Sequence, residues 1–437
     1  YTGDGSGLNW KYEKNINWNI KSCKVSAQIK GGTCVGGCVG YQQLENYTQG
    51  NPVRGKFGSS FSMYVTLSGL VSDIVCEGSI MADSIAGGII GKSLLDNYCR
   101  AEGFYGRVID GYTGESYMTC TYQNSYAKNT IKVTNAHNTM IIKGENCLGG
   151  IIGRIYDDSQ TSVGDLGVAK IDTWYTLEEC ANNGNILGND GASGGIIGES
   201  NVKSYPAPVT PISIKNCVSS CQKIEGGAFC SGIIGVNHAT RSIDISNSLV
   251  LGNISALSGT ACGIMVNDNL AAKSSISACV IALSTISGKE SVQRVGSVEE
   301  GVTNLMSKNT KVFLKGVPVE EDGSLENVTF VEDSLLYDVE TYSNLDWSIA
   351  SGETKIWKVE EDLYYPYLSV QSKPLMSKPL FESSTDYNVV RGCADCEGIV
   401  YVQKNNETCS SAIRNGFWSL KVPWQFHEGD TVQVYMQ

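Results

Sequence analysis

The tetrapeptide Gly-Ile-Ile-Gly recurs along the chain and constrains its fold more than any other feature. Copies occupy residues 88–91, 150–153, 195–198 and 232–235. Looser copies begin at Gly37 and Gly263. Because self-similarity at a spacing of tens of residues is typical of stacked repeats, we predict a repeat protein.

Each repeat also contains two apolar positions upstream of its first glycine. Eight or nine residues before the glycine lies an aliphatic residue: Ile29, Ile80, Ile186, Ile224 or Ile254. Six residues further upstream lies a small or apolar residue: Cys23, Ile74, Cys180, Val218 or Ser248. Short apolar patches between Gly, Asn, Ser and Asp are typical of strands, since helices need longer runs of 3.6-residue period. Such strands bury their apolar face by stacking at about 4.8 Å, so we predict an all-β chain that forms a right-handed parallel β-helix, or β-solenoid.

The repeat pattern divides the chain into predicted regions. Residues 1–20 are assigned to an N-terminal cap, residues 21–303 to the solenoid, and residues 304–370 to a closing segment whose aromatic side chains plug the last coil. Gly88 and Gly150 are 62 residues apart (150 minus 88). Since coil circumference is limited by strand geometry, residues 94–142 are predicted to leave the stack as an insertion.

The C-terminal region has a different pattern. Residues 371–379 contain two prolines and few apolar residues, which predicts a linker. Alternation such as Val400 with Val402, and the turn dipeptide Asn415-Gly416, predict a small immunoglobulin-like β-sandwich over residues 380–437.

Composition restricts the partners and the compartment. The chain has 33 Lys and Arg against 45 Asp and Glu, a net charge of −12, which disfavours nucleic acid and anionic membrane surfaces as partners. The sequence contains no run of about 18 apolar residues that would predict a membrane span. Its 16 cysteines favour an extracellular or cell-surface protein.

Two sets of residues are candidates for extracellular modification. Disulfide candidates are Cys34, Cys38, Cys99, Cys120, Cys147, Cys217, Cys221, Cys230, Cys262, Cys393, Cys396 and Cys409. The alternative is that cysteines in inward-facing repeat positions are thiols that act as small buried hydrophobes. Glycan acceptors, if the source is eukaryotic, are Asn46, Asn253, Asn327 and Asn406.

Residues 94–142 are rich in tyrosine, with charged residues between the rings. Candidates for contact with a glycan or a protein are Tyr98, Tyr105, Tyr112, Tyr117, Tyr122 and Tyr126. A tyrosine ring offers flat apolar area, and its hydroxyl offers a hydrogen bond. The alternative, which we favour, is that the rings pack the insertion onto the solenoid flank, with Cys99 and Cys120 bridged.

The sequence has no recognisable catalytic signature. Its three histidines, His137, His238 and His427, do not form His-Glu-x-x-His, and no nucleophile elbow, phosphate loop or dinucleotide fingerprint stands out. We therefore expect no catalysis, no cofactor and no metal. The enzymatic alternative is a polysaccharide lyase or hydrolase, because neighbouring coils of a β-helix can place carboxylates on one face. Its candidates, each also explained as a turn residue, are Asp157, Asp158, Asp190 and Asp268.

Several motifs carry a family resemblance. The unit from Cys180 to Ile186, followed by Gly-Gly-Ile-Ile-Gly at residues 194–198, resembles the GLUG repeat of bacterial surface proteins, which also occurs beside the catalytic domain of immunoglobulin A1-cleaving metallopeptidases. Trp347, Trp357 and the sequence Tyr-Pro-Tyr-Leu at residues 365–368 are similar to the segment that closes such arrays. Residues 390–432 resemble a bacterial immunoglobulin-like module.

The resemblance and the composition together suggest a function. We expect a non-catalytic extracellular or cell-surface protein, an adhesin, stalk or fibre component, that binds a glycan or a host surface protein. The alternative is a filament subunit whose partners are copies of itself. Because immunoglobulin-like modules of this kind resemble those strung between a binding tip and an anchor, we also expect the chain to be part of a longer or assembled molecule.

Overall fold

The computed structural model describes residues 9–49, 59–102, 104–109, 116–164, 166–202, 211–239, 242–268, 274–296, 303–319, 328–349, 356–358, 365–371, 380–383, 388–393, 399–405, 407–413, 417–426 and 432–436. The chain forms two compact units, Tyr1–Phe330 and Val331–Gln437. All long elements of both units are strands, in agreement with the predicted all-β class.

The strands of the first unit are, in chain order, β1 (Asn9–Gly31), β2 (Cys34–Gly36), β3 (Val39–Gln49), β4 (Ser59–Ala82), β5 (Ile85–Gly87), β6 (Ile90–Ala101), β7 (Phe104–Ile109), β8 (Ser116–Asn138), β9 (Ile141–Gly144), β10 (Cys147–Gly149), β11 (Ile152–Asp157), β12 (Gln160–Val163), β13 (Gly167–Glu178), β14 (Ala181–Asn182), β15 (Ile186–Gly188), β16 (Ala192–Gly194), β17 (Ile197–Val202), β18 (Ile212–Lys215), β19 (Val218–Ser219), β20 (Ile224–Gly226), β21 (Phe229–Ser231), β22 (Ile234–Asn237), β23 (Ile243–Ser246), β24 (Leu249–Ala256), β25 (Thr260–Cys262), β26 (Met265–Asn267), β27 (Ser275–Ser277), β28 (Val280–Gly288), β29 (Ser291–Gln293), β30 (Asn304–Ser307), β31 (Lys311–Leu314), β32 (Val317–Pro318) and β33 (Val328–Val331).

These strands form a parallel β-solenoid with three sheets. Sheet A is the largest and has 19 strands, among them β1, β4, β8, β13, β18, β23 and β27. Sheet B contains β2, β5, β10, β16, β21, β25 and β29, and sheet C contains β3, β6, β11, β12, β17, β22 and β26. A complete coil passes from sheet A through sheet B to sheet C and then begins the next coil in sheet A.

The Gly-Ile-Ile-Gly repeats form the turn from sheet B to sheet C. The first isoleucines, Ile89, Ile151, Ile196 and Ile233, are fully buried and stack in register, as predicted. Each N–H donates to the carbonyl of the equivalent isoleucine one coil on, with N–O distances of 2.9 to 3.0 Å. The upstream aliphatic positions also stack, because Ile29 pairs with Ile80, Ile80 with Ile142, and Ile186 with Ile224.

The glycines of the repeat are required by the close approach of neighbouring coils. A Cβ atom at Gly150 would lie 2.0 Å from the carbonyl oxygen of Gly195, and one at Gly195 would lie 2.0 Å from that of Gly232. No side chain fits at such a distance. The glycines of the repeat therefore allow the backbones of neighbouring coils to touch, and its isoleucines form the core beside that contact.

A second column marks a corner of sheet A. Seven consecutive coils have a residue of left-handed conformation there, with φ between 49° and 57°: Ser22, Asp73, Asn135, Glu179, Asn216, Asn247 and Ala278. The residue after this corner points into the core. Because Ala181 pairs with Val218, the core residue of the fifth coil is Cys217, and the predicted Val218 is one position out of register.

The first three coils have long strands in sheet A. Strands β1, β4 and β8 have 23, 24 and 23 residues, and β8 pairs with β4 from Ser59 opposite Thr121 to Cys76 opposite Asn138. Residues 94–101 pair with β3 and with β11 or β12 in sheet C. Most of residues 94–142 thus widen the coils, where an insertion was expected, and β7 alone pairs antiparallel with β8. Residues 9–20, expected in a cap, belong to β1 of the first coil.

The second unit contains a 3-10 helix (Asp333–Tyr337), helix α1 (Val339–Ser343) and the strands β34 (Trp357–Lys358), β35 (Tyr367–Leu368), β36 (Leu380–Ser383), β37 (Asn388–Cys393), β38 (Ile399–Lys404), β39 (Glu407–Ala412), β40 (Phe417–Val422) and β41 (Val432–Met436). Two three-stranded antiparallel sheets, β36-β37-β40 and β39-β38-β41, enclose Val390, Val400, Val402 and Trp418. Trp347 and Trp357 are buried with ring centroids 4.3 Å apart. That they close the last coil stays a prediction.

The isoleucine column provides a test of the repeat alignment. Ile196→Asp would bury a carboxylate among apolar side chains and is expected to lower the free energy of unfolding by about 3–5 kcal/mol. Ile141→Asp is the matched control, because Ile141 is 42% exposed. Urea denaturation followed by circular dichroism measures both variants. Equal stability of the two variants would show that the isoleucine column is misaligned.

Candidate functional site

The candidate tyrosines lie on two different faces of the solenoid. Tyr98 lies on the outer face of sheet C, where its ring stacks on Tyr47 with centroids 5.2 Å apart. Tyr126 lies on the outer face of sheet A and stacks on Tyr64 at 4.8 Å, with Tyr122 on the same face. They therefore do not form one site. Two of the other candidates, Tyr105 and Tyr117, are in described strands without described side chains, and Tyr112 is outside the described residues.

Rings and cations alternate on the outer face of sheet C. Tyr41 pairs with Lys92, and Lys92 pairs with Arg154 on the next coil. The Lys92 Nζ atom is 5.5 Å from the ring centroids of both Tyr41 and Tyr156, and the Arg154 guanidinium is 5.4 Å from that of Tyr156. We call this surface, consisting of Tyr41, Tyr47, Lys92, Tyr98, Arg154 and Tyr156, the sheet C face. Tyr41 is 46% exposed and Tyr47 is 64% exposed.

Strand alternation explains why these side chains point outward. In β3, Gln42 and Leu44 are buried while Tyr41 and Tyr47 are exposed. Because parallel strands in register align equivalent residues, each outward position forms a row across the coils. One row consists of the residues that follow the second glycine of each repeat: Tyr41, Lys92, Arg154, Glu199 and Val236.

A cleft of about 290 Å³ lies beside this row. It forms where the first residues of the sheet B strands approach the outward residues of sheet C. Ile85, Cys147, Ala192 and Phe229 come from one register position of β5, β10, β16 and β21. Arg154, Glu199 and Val236 come from β11, β17 and β22. The cleft thus has an apolar side and a charged side.

A partly buried ion pair occupies the charged side of the cleft. The Arg154 Nη2 atom is 2.8 Å from Glu199 Oε1, and the Glu199 side chain is 9% exposed. Glu199 also accepts hydrogen bonds from the Cys147 thiol at 2.7 Å and from Asn201 Nδ2 at 3.2 Å. Burial and the neighbouring Glu199 charge raise the pKa of Cys147, so its thiol stays protonated as a donor. Cys147 is therefore unsuited to nucleophilic attack, which needs the thiolate.

A histidine lies at the other end of the cleft. His238 Nδ1 is 2.9 Å from Asp268 Oδ2 on the neighbouring coil. The edge of the imidazole meets Phe229, with centroids 5.8 Å apart and planes at 82°. The carboxylate and the ring together hold the imidazole in one orientation at the cleft.

The predicted carboxylates are therefore placed differently from one another. Asp268 reaches the cleft through His238. Asp157 is buried and accepts a hydrogen bond from the Ser159 N–H, and Asp190 is exposed beside a turn. Asp158 is half-buried after β11. Within the described residues, no group of three His, Cys, Asp or Glu is arranged to hold a metal ion.

Sequence reasoning missed Arg154 and Glu199. Neither lies in a motif, and their partnership depends on the register between two coils. A usable signal was present, because both directly follow the second glycine of a Gly-Ile-Ile-Gly repeat. Strand alternation places that position outward in every coil.

Most of the disulfide candidates are free cysteines in the structure. These are Cys34, Cys38, Cys147, Cys217, Cys221, Cys230, Cys262 and Cys409. Burial raises the pKa of Cys221 to about 11 and that of Cys262 to about 12. Both thiols are therefore uncharged and pack as small apolar core residues. The disulfide expectation is not supported for this set. Cys99 is buried, and the side chains of Cys120, Cys393 and Cys396 are outside the described residues.

Two of the four sequons are within the described residues. Asn46 is half-buried in β3 and continues the inward alternation of Gln42 and Leu44. Asn253 donates through Nδ2 to the Gln222 carbonyl at 3.0 Å and accepts from Thr285 at 2.9 Å. Asn327 and Asn406 are outside the described residues. A glycan at Asn253 would be attached to Nδ2, the atom that donates to the Gln222 carbonyl.

The ion pair in the cleft gives a stability prediction. Glu199→Gln removes the charge that faces the partly buried Arg154 and is expected to lower the free energy of unfolding by about 2 kcal/mol, between the effects of exposed and buried pairs. The matched control is Asp172→Asn in the more exposed Lys170–Asp172 pair, where about 0–1 kcal/mol is expected. Denaturant unfolding measures both, and a double-mutant cycle with Arg154→Met isolates the pair. Additive effects in that cycle would refute the coupling.

Comparison with known proteins gives a distant structural similarity. No family model matches the chain, and no curated protein matches it. The chain is similar to a solved structure described as a putative immunoglobulin A1 protease from Bacteroides ovatus, with 14% sequence identity, a TM-score of 0.34, and coverage of 71% of this chain and 87% of that chain. That description contradicts our expectation that the chain is not an enzyme, and the expectation is withdrawn. Among the described residues, no helix is long and apolar enough to span a membrane.

Proposed function

We propose that the chain is an extracellular adhesive solenoid that binds glycan chains along the sheet C face. The observation that carries the proposal is the position of Lys92 between the exposed-face rings of Tyr41 and Tyr156, which come from the coils on either side of it. The sugar units of a glycan present a flat C–H face and an edge of hydroxyl groups. A row of rings and cations suits both features, since the rings stack on the C–H face and the charged donors hydrogen-bond to the hydroxyl groups.

The dimensions of the surface also suit a chain-like ligand. Tyr41 and Tyr47 are six residues apart on β3, which is about 20 Å along a strand. Tyr98 extends the surface onto the second coil, and Tyr156 extends it onto the third. A surface of this length contacts several sugar units at once, so many weak contacts add to a useful affinity.

The extracellular location rests on composition and resemblance. The net charge of −12 and the 16 cysteines are compatible with an exported protein. The GLUG-like repeats and the immunoglobulin-like character of the C-terminal sheets belong to the same proposal, in which the second unit helps to display the solenoid. A host surface protein as the ligand, and self-assembly into a stalk or filament, are the competing alternatives.

Replacing the stacked tyrosines tests the binding surface. The double variant Tyr47→Ala/Tyr98→Ala is expected to weaken the affinity for the best ligand on a glycan array at least tenfold, because the contacts between the tyrosine rings and the C–H faces of the sugars are lost. The matched control is Tyr64→Ala/Tyr126→Ala, which removes an equally stacked pair from sheet A. Biolayer interferometry with the immobilised glycan measures both Kd values. Equal losses in the two variants, or no glycan bound by the native chain, would contradict the proposal.

A second candidate function is cleavage of a bound polysaccharide in the cleft. It is favoured by the carboxylates of Glu199 and Asp268 from different coils, with Arg154 and His238 beside them. An imidazole oriented by a carboxylate is suited to general base catalysis. The cleft lies next to the sheet C face, so a single polysaccharide chain would contact both.

The cleavage hypothesis predicts new chain ends. Incubation with the polysaccharides that the chain binds is expected to release reducing ends, and His238→Ala is expected to lower the rate at least 100-fold. Tyr122→Ala, on sheet A, is the control and is expected to retain the rate. The absence of new reducing ends with every bound polysaccharide would exclude this function.

A further inference from the structure

The cleft of about 290 Å³ has the size of a small-ligand site. Small-molecule pockets have volumes of about 300–1,000 Å³. The cleft lies at the lower end of this range, so it accommodates a small ligand of roughly one ring. Its position next to Arg154 places it at one end of the sheet C face. A ligand that lies along the face would therefore present one terminal unit to the cleft.

The lining of the cleft is amphipathic. Ile85, Ala192, Val236 and Phe229 supply apolar surface, and Phe229 offers an aromatic ring. Arg154 and Glu199 from sheet C supply polar groups, and Asn146 and His238 add two more. A pyranose ring has the same division, with C–H groups on its faces and hydroxyl groups on its edge. Sites that combine apolar walls with a few convergent polar groups orient such ligands.

The charges of the cleft disfavour an acidic ligand. The formal charges are +1 for Arg154, −1 for Glu199 and −1 for Asp268, a sum of −1 when His238 is neutral. Arg154 is already paired with a carboxylate that is only 9% exposed, so a ligand acid would have to displace Glu199 from a partly buried pair. Asp268 is 54% exposed, and water screens its charge. A neutral ligand meets none of these obstacles.

We propose that the cleft binds a single neutral sugar unit at the end of a glycan chain. The proposal rests on the proposed glycan-binding function and deepens it by naming the class of the terminal unit. Phe229, which is half-buried at the cleft, contacts the C–H face of the sugar. His238 and Glu199 hydrogen-bond its hydroxyl groups, and Arg154 donates at the side next to the sheet C face.

Saturation-transfer difference NMR with monosaccharides tests the cleft directly. The probes are the methyl glycosides of glucose, galactose and mannose, with glucuronic acid as the acidic comparison. At least one neutral glycoside is expected to give a transfer signal and to bind at least tenfold more tightly than glucuronic acid. Binding of glucuronic acid with equal or higher affinity, or no signal from any neutral glycoside, overturns the proposal.

Variants assign the signal to the cleft. Ala228→Trp fills the cleft from a half-exposed position and is expected to abolish the signal. His238→Ala is expected to weaken binding about three- to tenfold, as for one lost hydrogen bond. Tyr122→Ala is the control and is expected to leave the signal unchanged. Thermal unfolding of each variant shows that it is folded. An unchanged signal in folded Ala228→Trp overturns the proposal.

The two proposals fail in different ways. Loss of the monosaccharide signal in Ala228→Trp, with unchanged glycan affinity in Tyr47→Ala/Tyr98→Ala, supports the cleft and contradicts the sheet C face. Loss of glycan affinity in the tyrosine variant, with no monosaccharide signal in the native chain, supports the face and overturns the cleft. Competition between a monosaccharide and the long glycan shows whether the two sites are occupied by one ligand.

Discussion

The close approach of neighbouring coils at the glycine turns is the contact on which the solenoid depends. A Cβ atom added at Gly195 would lie only 2.0 Å from the carbonyl oxygen of Gly232, so at this turn the coils meet through backbone alone. The hydrogen bonds between successive isoleucines then hold every coil in one register. Because the register is shared, a residue at one repeat position stacks on its equivalent in the next coil. Equivalent repeat positions therefore form rows across the coils: the inward rows make up the core, and the outward rows make up the outer faces.

The candidate surface follows from the same rule. The residue after the second glycine points outward in each coil, so Tyr41, Lys92, Arg154 and Glu199 come to lie side by side although more than 150 residues separate the first from the last (199 minus 41). Sheet C then shortens from 12 residues in β6 to four in β22. The cleft lies at this change of length, next to the row of charged residues. The wide early coils thus supply an extended face, and the narrower later coils supply a concave site.

Sequence reasoning predicted what repeats within a coil and missed what depends on contact between coils. The isoleucine columns follow from pattern alone, because burial requires an apolar residue at every turn. The widening of the coils was misjudged, since unequal glycine spacing does not distinguish a loop from longer strands. Alternation such as Ile131 with Val133 in β8 indicates strand, but its pairing with β4 is not visible in the local sequence. Val218 was one residue out of register because Cys217 lies seven residues before Ile224, whereas Cys180 lies six before Ile186.

The fold itself does not require charges in the cleft. Val236 occupies the same row as Arg154 and Glu199 and is 1% exposed, so an apolar residue is accepted at this position. Replacement of a buried ion pair by packed apolar residues is often neutral or stabilising, because desolvation costs offset the attraction. Stability therefore gives no reason for Arg154 and Glu199 to differ from Val236. A ligand that contacts the polar side of the cleft does give one, since an oriented guanidinium and carboxylate bind hydroxyl groups that an apolar wall would reject. The contrast within a single row of residues is thus the observation that favours the proposed ligand site in this part of the solenoid surface.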